Sequence, residues 1–154
     1  MIKKRINKLR SQFIKYGIDG YVVPNNDEFF SEYSQKDRLK TISNFTGSAG
    51  YAIILKKKNY LFVDGRYTIQ AEIESGKEFE VTNLTKIENC KLFKNLTLGL
   101  DPKLFTSKQT NNFFLKYNKV KEIQLNLIDS IYSKYQSKPK PFFSISKKTV
   151  GQSH

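Results

Sequence analysis

Short runs of β-branched and aromatic residues alternate with stretches of helical period along the chain, and this alternation predicts a mixed α/β domain with a central sheet and flanking helices. Residues 51–55 and 60–63 are two such runs around the polar turn Lys56-Lys57-Lys58-Asn59, so the sheet is expected to contain an antiparallel hairpin. The length, 154 residues, suits one ordinary domain and is too short for two substantial ones. A hydrophobic fraction of 38%, with twelve Phe and nine Tyr, supplies a packed core rather than a disordered chain.

Ile2, Ile6, Leu9 and Phe13 fall on one stripe of a helix whose other face carries Lys3, Lys4, Lys8 and Arg10, and Gly17 stops it. Tyr21-Val22-Val23, closed by Pro24, reads as a strand. Asp27 is placed to cap a short helix over residues 28–33, and Asp37 a second one that carries Arg38, Leu39, Ile42 and Phe45 and stops at Gly47. After the hairpin, residues 66–75 mix strand-like alternation with helix-forming Gln, Ala and Glu. Asp64 or Gly65 as a start and Gly76 as a stop decide for helix. Phe79, Val81 and Leu84 mark a strand, residues 96–100 another, residues 107–117 an amphipathic helix, residues 120–125 a further strand and residues 127–135 a short helix. The Pro-spaced stretch Ser137-Lys138-Pro139-Lys140-Pro141 reads as a linker. The expected organisation is therefore one domain over residues 1–136, with residues 137–154 forming the linker and the start of a second, truncated domain.

No apolar run approaches the roughly 18 residues of a membrane-spanning helix, and the basic N-terminus lacks the apolar segment and cleavage site of a secretory signal. A single cysteine, Cys90, cannot make an internal disulfide, which agrees with a cytoplasmic location. The net charge of +13 raises non-specific affinity for nucleic acid. The lysines are nevertheless scattered along the sequence without an arginine-rich run, so a solvated surface is preferred to a nucleic-acid face, and no membrane partner is expected.

Catalytic zinc commonly takes at least two His among several converging ligands. The sole His is the terminal His154, so no metal site is expected in this chain. Cys90 has no neighbouring base in sequence and reads as a small inert hydrophobe. Thr46-Gly47-Ser48-Ala49-Gly50 is glycine-rich but lacks the Lys-Ser/Thr pair of a phosphate-binding loop, and reads as a close-packed turn between helix and strand. Composition and spacing thus reach a mixed α/β domain followed by a linker, without naming an activity.

Five ordered blocks carry the reading further. Asp19-Gly20-Tyr21-Val22-Val23-Pro24, then Ser31-Glu32-Tyr33 with Arg38, then residues 42–50 ending in Phe45-Thr46-Gly47-Ser48-Ala49-Gly50, then Asp64-Gly65-Arg66-Tyr67, and finally Gly99-Leu100-Asp101-Pro102 with Asn126-Leu127-Ile128-Asp129 resemble the N-terminal domain shared by aminopeptidase P, prolidase and creatinase. Tyr132 stands where that family usually has Trp. The details are most similar to the three-domain aminopeptidase P type, and Val150-Gly151-Gln152-Ser153 resembles the element that opens its second domain.

The resemblance implies an accessory domain of a Xaa-Pro aminopeptidase, which removes the N-terminal residue preceding proline. It implies two divalent metal ions, often manganese, held by a catalytic C-terminal domain of the same polypeptide, together with a homodimer and peptide substrates with proline at the second position. It carries over one residue, Arg66, whose family counterpart is implicated near the active site. Physically, an Arg after a tight Asp-Gly turn either pairs with a peptide carboxylate through two parallel hydrogen bonds or holds its own turn by pairing with Asp64, and both readings stand. Gly47, Gly50 and Gly65 are expected to serve the backbone, through positive φ or close packing, and Tyr67 to be a core aromatic, with Ser48 part of the glycine block. A free-standing binding module that uses the basic surface on nucleic acid is the alternative, and a structural dimerisation domain a third reading.

Overall fold

The computed structural model describes residues 1–31, 36–89, 92–132 and 144–150. Its helices are α1 (Ile2–Arg10), α2 (Phe13–Tyr16), α3 (Arg38–Ser43), α4 (Thr68–Ser75), α5 (Ser107–Thr110), α6 (Leu127–Ile131) and α7 (Lys147–Val150). Its strands are β1 (Gly20–Pro24), β2 (Gly50–Leu55), β3 (Asn59–Val63), β4 (Glu80–Asn83), β5 (Thr97–Leu100) and β6 (Lys119–Glu122). They form one six-stranded sheet in the order β4-β3-β2-β1-β5-β6. β3 and β4 are parallel, as are β1 and β5 and β5 and β6, whereas β2 runs antiparallel to both β1 and β3. The architecture is the mixed sheet with flanking helices expected from the sequence, and β2–β3 is the expected hairpin, with Ile54 opposite Asn59 across its lysine turn.

Strand residues alternate between two apolar layers, as the period of two requires. Tyr21, Val23, Ala52, Ile54, Leu61 and Val63 face the layer that holds Ile6, Leu9, Phe13, Leu39, Ile42 and Leu127 from the helices. Val22, Ile53, Tyr60 and Phe62 face the other, with Phe93, Leu104, Phe105 and Phe114. Burial on both faces explains why the central strands read as continuous hydrophobic runs rather than as alternating ones.

Several element boundaries differ from the sequence expectation. The first helix breaks at Ser11-Gln12, where the Ser11 hydroxyl donates to the Lys8 carbonyl at 2.8 Å, and Gly17 then ends α2 at φ 57°. Asp27 caps no helix over its described neighbours. Its carboxylate accepts from the Phe29 and Ser31 amides in a turn that puts Phe30 at φ 58°, and residues 32–35 lie outside the described residues. Asp37 does cap α3, but that helix stops at left-handed Asn44 (φ 67°), not at Gly47, so Phe45 enters the core from the loop.

The predicted helix over 107–117 stays α-helical only over α5, behind a Thr106–Gln109 capping box, and widens to a π turn at Asn111–Leu115. Neighbouring Phe113 and Phe114 both pack inward there, against Tyr51 and Phe105 respectively, which a regular α-helix does not allow for adjacent positions. Residues 66–75 form a 3₁₀ turn, Gly65–Tyr67, followed by α4, and β4 closes at Asn83, before Leu84. β5 and β6 are shorter than read, at Thr97–Leu100 and Lys119–Glu122. Asn126 caps α6, which ends at Ile131 with Tyr132 as its cap. The linker over 137–141, the block at 151–153, Cys90 and His154 lie outside the described residues.

One charged side chain is part of this frame. Arg38 is 1% exposed, and its guanidinium is bidentate to Asp129 of α6 at 2.9 and 2.8 Å, with a third bond to Glu28 at 2.7 Å. Burial opposes the charge, but the hydrogen bonds from Asp129 and Glu28 outweigh it and raise the Arg38 pKa. Removing Asp129 leaves the buried cation with a single partner, so Asp129→Ala should cost about 3 kcal/mol in urea unfolding. Glu28→Gln, at a carboxylate 36% exposed, should cost under about 1 kcal/mol.

Candidate functional site at the carboxyl end of the sheet

Because β2 alone runs against its neighbours, the chain enters β2 at the end of the sheet where β1, β3, β4 and β5 leave it. Segments distant in sequence therefore meet there: Asn25 and Asn26 after β1, the glycine block before β2, Asp64 to Tyr67 after β3, and Asn83 at the end of β4. In open α/β sheets this is the end at which ligands bind.

The contacts are specific. The Asn25 side chain donates to the Ser48 carbonyl at 2.8 Å, and Asn26 to the Leu104 carbonyl at 3.0 Å. Ser48 and Tyr67 share a hydroxyl–hydroxyl bond of 3.1 Å, and the Tyr67 ring meets Phe45 edge-on at 5.9 Å. Tyr67, expected to be a core aromatic, is half-buried against the helical layer. Thr46 donates both its amide and its hydroxyl to Glu74 of α4 at 2.7 Å, and Gln70 bonds to the same pair. Burial pushes the Glu74 carboxyl up, but the bonds from Thr46 and Gln70 win and leave it below the usual glutamate value.

Two of the three expected glycines owe their place to close packing. A Cβ on Gly47 would lie 2.3 Å from the Phe45 ring, and one on Gly50 2.8 Å from the Phe62 carbonyl oxygen. None of Gly47, Gly50 and Gly65 has a positive φ, which corrects the first of the two roles expected for them. Gly65 has one near neighbour, the Asn83 side chain at 3.2 Å.

Arg66 lies at the outer rim with 76% of its side chain exposed. Its amide and its Nε both donate to Asp64 Oδ1 at 3.0 Å, its guanidinium sits 5.6 Å from the Tyr67 ring centre, and the pairing holds the Asp64 carboxyl below the usual range. The internal pair read as one alternative is present, and most of the guanidinium still faces solvent. Inside this rim, Tyr51, Asp64, Gly65, Asn83, Leu84 and Phe113 line a cleft of about 490 Å³ that also includes Glu88. Tyr51 and Leu84 are shared with a smaller hollow of about 220 Å³ beside Asn25, Asn26 and Ser48.

The cleft offers one side-chain amide, two carboxylates and aromatic walls. No group of three or more His, Cys, Asp or Glu converges among the described residues, so these residues do not form the donor set for two divalent ions. No helix among them is long and apolar enough to cross a membrane. Asn25, Asn26 and Asn83 went unnoticed in the sequence, and Glu74 reads there as one scattered carboxylate with nothing to mark a partner. The asparagines carried one signal, a polar residue immediately after a hydrophobic strand, and the Thr46–Glu74 clamp, 28 residues long, carried none.

This arrangement is that of a mixed α/β module with its ordered motifs gathered at one end of the sheet. Residues 5–126 match the Creatinase/Prolidase N-terminal domain family, and the chain belongs to it. A probable Xaa-Pro aminopeptidase P of Laccaria bicolor is 34% identical over 98% of this chain, which spans 26% of that protein. Xaa-Pro aminopeptidase 2 of Rattus norvegicus is 34% identical over 71% of the chain and 17% of its own length. The chain thus spans between 17% and 26% of the length of these relatives. Among solved structures, the X-prolyl aminopeptidase of Caenorhabditis elegans, described as a cytosolic enzyme with a di-nuclear active site, superposes over 99% of this chain and 29% of its own with a TM-score of 0.79 at 21% identity. The isolated N-terminal domain of the Mycobacterium tuberculosis peptidase PepQ superposes over 84% of this chain and 98% of its own, with a TM-score of 0.62 at 18% identity.

Packing at Gly50 is against rigid backbone, so Gly50→Ala should destabilise the chain by about 1–3 kcal/mol, while Gly65→Ala, facing a side chain able to move, should cost less than about 1 kcal/mol. The Glu74 clamp has a depressed folded-state pKa. Its contribution is therefore complete above the ordinary glutamate value of 4.5 and is lost as the pH falls through the folded value. The Thr46 amide resonance should accordingly titrate with a midpoint below 4.5 in an NMR pH series, and not at all in Glu74→Gln.

Proposed function

We propose that this chain is the N-terminal accessory domain of a metal-dependent Xaa-Pro aminopeptidase, with a second domain beginning after residue 136 and a catalytic domain further along the same polypeptide. The observation that carries the reading is the convergence of the glycine block and the Asp64-Gly65-Arg66-Tyr67 turn at one sheet end, beside a cleft, in a chain that aligns with about a quarter of each aminopeptidase P relative. In this reading the complete enzyme is a cytoplasmic homodimer that uses two divalent ions, read as manganese, on peptides with proline at the second position.

The accessory domain limits access to the substrate end of the catalytic domain, and Arg66 is its contact with peptide. The Arg66 side chain is anchored by Asp64 at Nε and, at 3.5 Å, at one terminal nitrogen, which leaves its other terminal nitrogen to donate to a carboxylate or carbonyl. Asp64 then acts as a positioning residue, fixing the guanidinium before substrate arrives.

The full-length protein loaded with manganese should cleave an Xaa-Pro peptide, and the 154-residue chain should not; turnover by the purified short chain would overturn the accessory assignment. In the full-length enzyme, Arg66→Ala should raise KM about tenfold with little change in kcat, as expected for loss of one charge-assisted contact, and Arg66→Lys should recover part of it. An unchanged KM in Arg66→Ala would show that Arg66 serves the turn alone.

A further inference from the structure

Phe30 holds a backbone conformation that a bulky side chain rarely takes, with φ at 58°. Asp27 imposes it: its carboxylate accepts from the Phe29 and Ser31 amides at 2.9 Å, and its carbonyl accepts from the Phe30 amide at 3.0 Å. Core packing does not account for the arrangement, because Phe30 is 48% exposed and belongs to neither apolar layer. The turn instead makes Phe30 part of the wall of the hollow of about 220 Å³ beside Asn25, Asn26 and Ser48, where Tyr51 and Leu84 supply further apolar surface. Strain that the surroundings fix in this way is typical of positions that meet a ligand.

Two observations define what the hollow can take. Tyr51 and Leu84 also line the larger cleft of about 490 Å³, so the hollow opens into it and admits one part of an extended chain. The Asn25 side-chain nitrogen donates to the Ser48 carbonyl and that of Asn26 to the carbonyls of Asp27 and Leu104, and among the described residues no donor reaches either side-chain oxygen. Those oxygens are left to accept backbone N–H groups, while Phe30, Tyr51 and Leu84 offer contact to an apolar side chain. Free acceptors beside an apolar wall match a peptide residue that has a polar backbone and an apolar side chain.

We infer that this hollow binds an apolar side chain on the carboxyl-terminal side of the substrate's proline, and that Phe30 is a specificity-determining residue there. The inference rests on the Xaa-Pro aminopeptidase reading. In that reaction a single residue precedes the scissile bond, and the metal centre belongs to another domain. A contact made from this domain therefore falls on the part of the peptide that follows proline. The Asp27 turn holds Phe30 in place before substrate arrives, so that little conformational freedom is lost on binding.

The test uses the full-length enzyme loaded with manganese and the peptides Ala-Pro-Phe-Ala and Ala-Pro-Ser-Ala. kcat/KM should favour the first about tenfold. Phe30→Ser should reduce that preference below about threefold and Phe30→Leu should retain part of it, whereas Phe29→Ser, at a side chain 89% exposed that lines neither hollow, should leave it unchanged. Thermal unfolding of the 154-residue chain supplies a readout that a structural role would move the other way: Phe30→Gly, which suits a positive φ, should raise Tm by about 2 °C. Turnover of neither peptide would overturn the aminopeptidase reading and this inference with it. Equal turnover of both peptides by the unsubstituted enzyme, equal losses in Phe29→Ser and Phe30→Ser, or a lower Tm in Phe30→Gly would each overturn the inference alone.

Discussion

A guanidinium that is 1% exposed keeps its charge only if carboxylates are held against it, and much of this fold follows from that requirement at Arg38. Asp129 supplies two of the bonds from α6, near the end of the sheet domain, and Glu28 the third from the loop after β1. Two segments, 10 and 91 residues away in sequence, are thereby tied to the start of α3. Asn126, two bonds along the same route, caps α6 with its side-chain oxygen and donates to Asp101 with its nitrogen, and Tyr21 accepts from the Leu127 amide. The Asp101 turn after β5, the entry to α6 and the centre of β1 are thus linked by polar contacts within an otherwise apolar layer. Such a network specifies one arrangement because any slip leaves a buried polar group unsatisfied.

With that frame in place, the direction of a single strand determines where function-bearing residues collect. If β2 ran parallel to its neighbours, the glycine block would enter the sheet at its opposite end. Running against them, it brings Gly47 and Gly50 beside Asp64 to Tyr67, and Asn25 within reach of Ser48. The glycines then have a mechanical role, as Phe45 and the Phe62 carbonyl occupy the space that side chains would need. The same reversal turns the β2–β3 hairpin, with its three lysines, to the far end. One topological choice thus places the cleft with its arginine rim at one end of the sheet and the lysine turn at the other.

What was legible in the sequence was what depends on local chemistry or on an ordered pattern. The hairpin, the Asp37 and Asp64 caps and the Gly17 stop are all readable from short-range rules, and the ordered blocks point to the family. The misplaced boundaries share a cause: tertiary packing overrode local preference. Phe45 left its helix to fill space beside Gly47, and Phe113 with Phe114 forced a wider turn so that both rings could be buried. The Arg38 network and the Thr46–Glu74 clamp were not readable, because each joins residues whose proximity exists only once the sheet has been assembled.

The sheet also has two open rims, β4 on one side and β6 on the other. Each is only four residues long, and β6 reads Lys-Val-Lys-Glu with its charged residues exposed. Extension by a strand from another molecule would have to desolvate those lysines for the sake of a few backbone bonds, a poor exchange that protects open sheets against edge-to-edge growth. A sheet edged in this way has a built-in safeguard during synthesis: it can be complete without recruiting strands from neighbouring nascent copies.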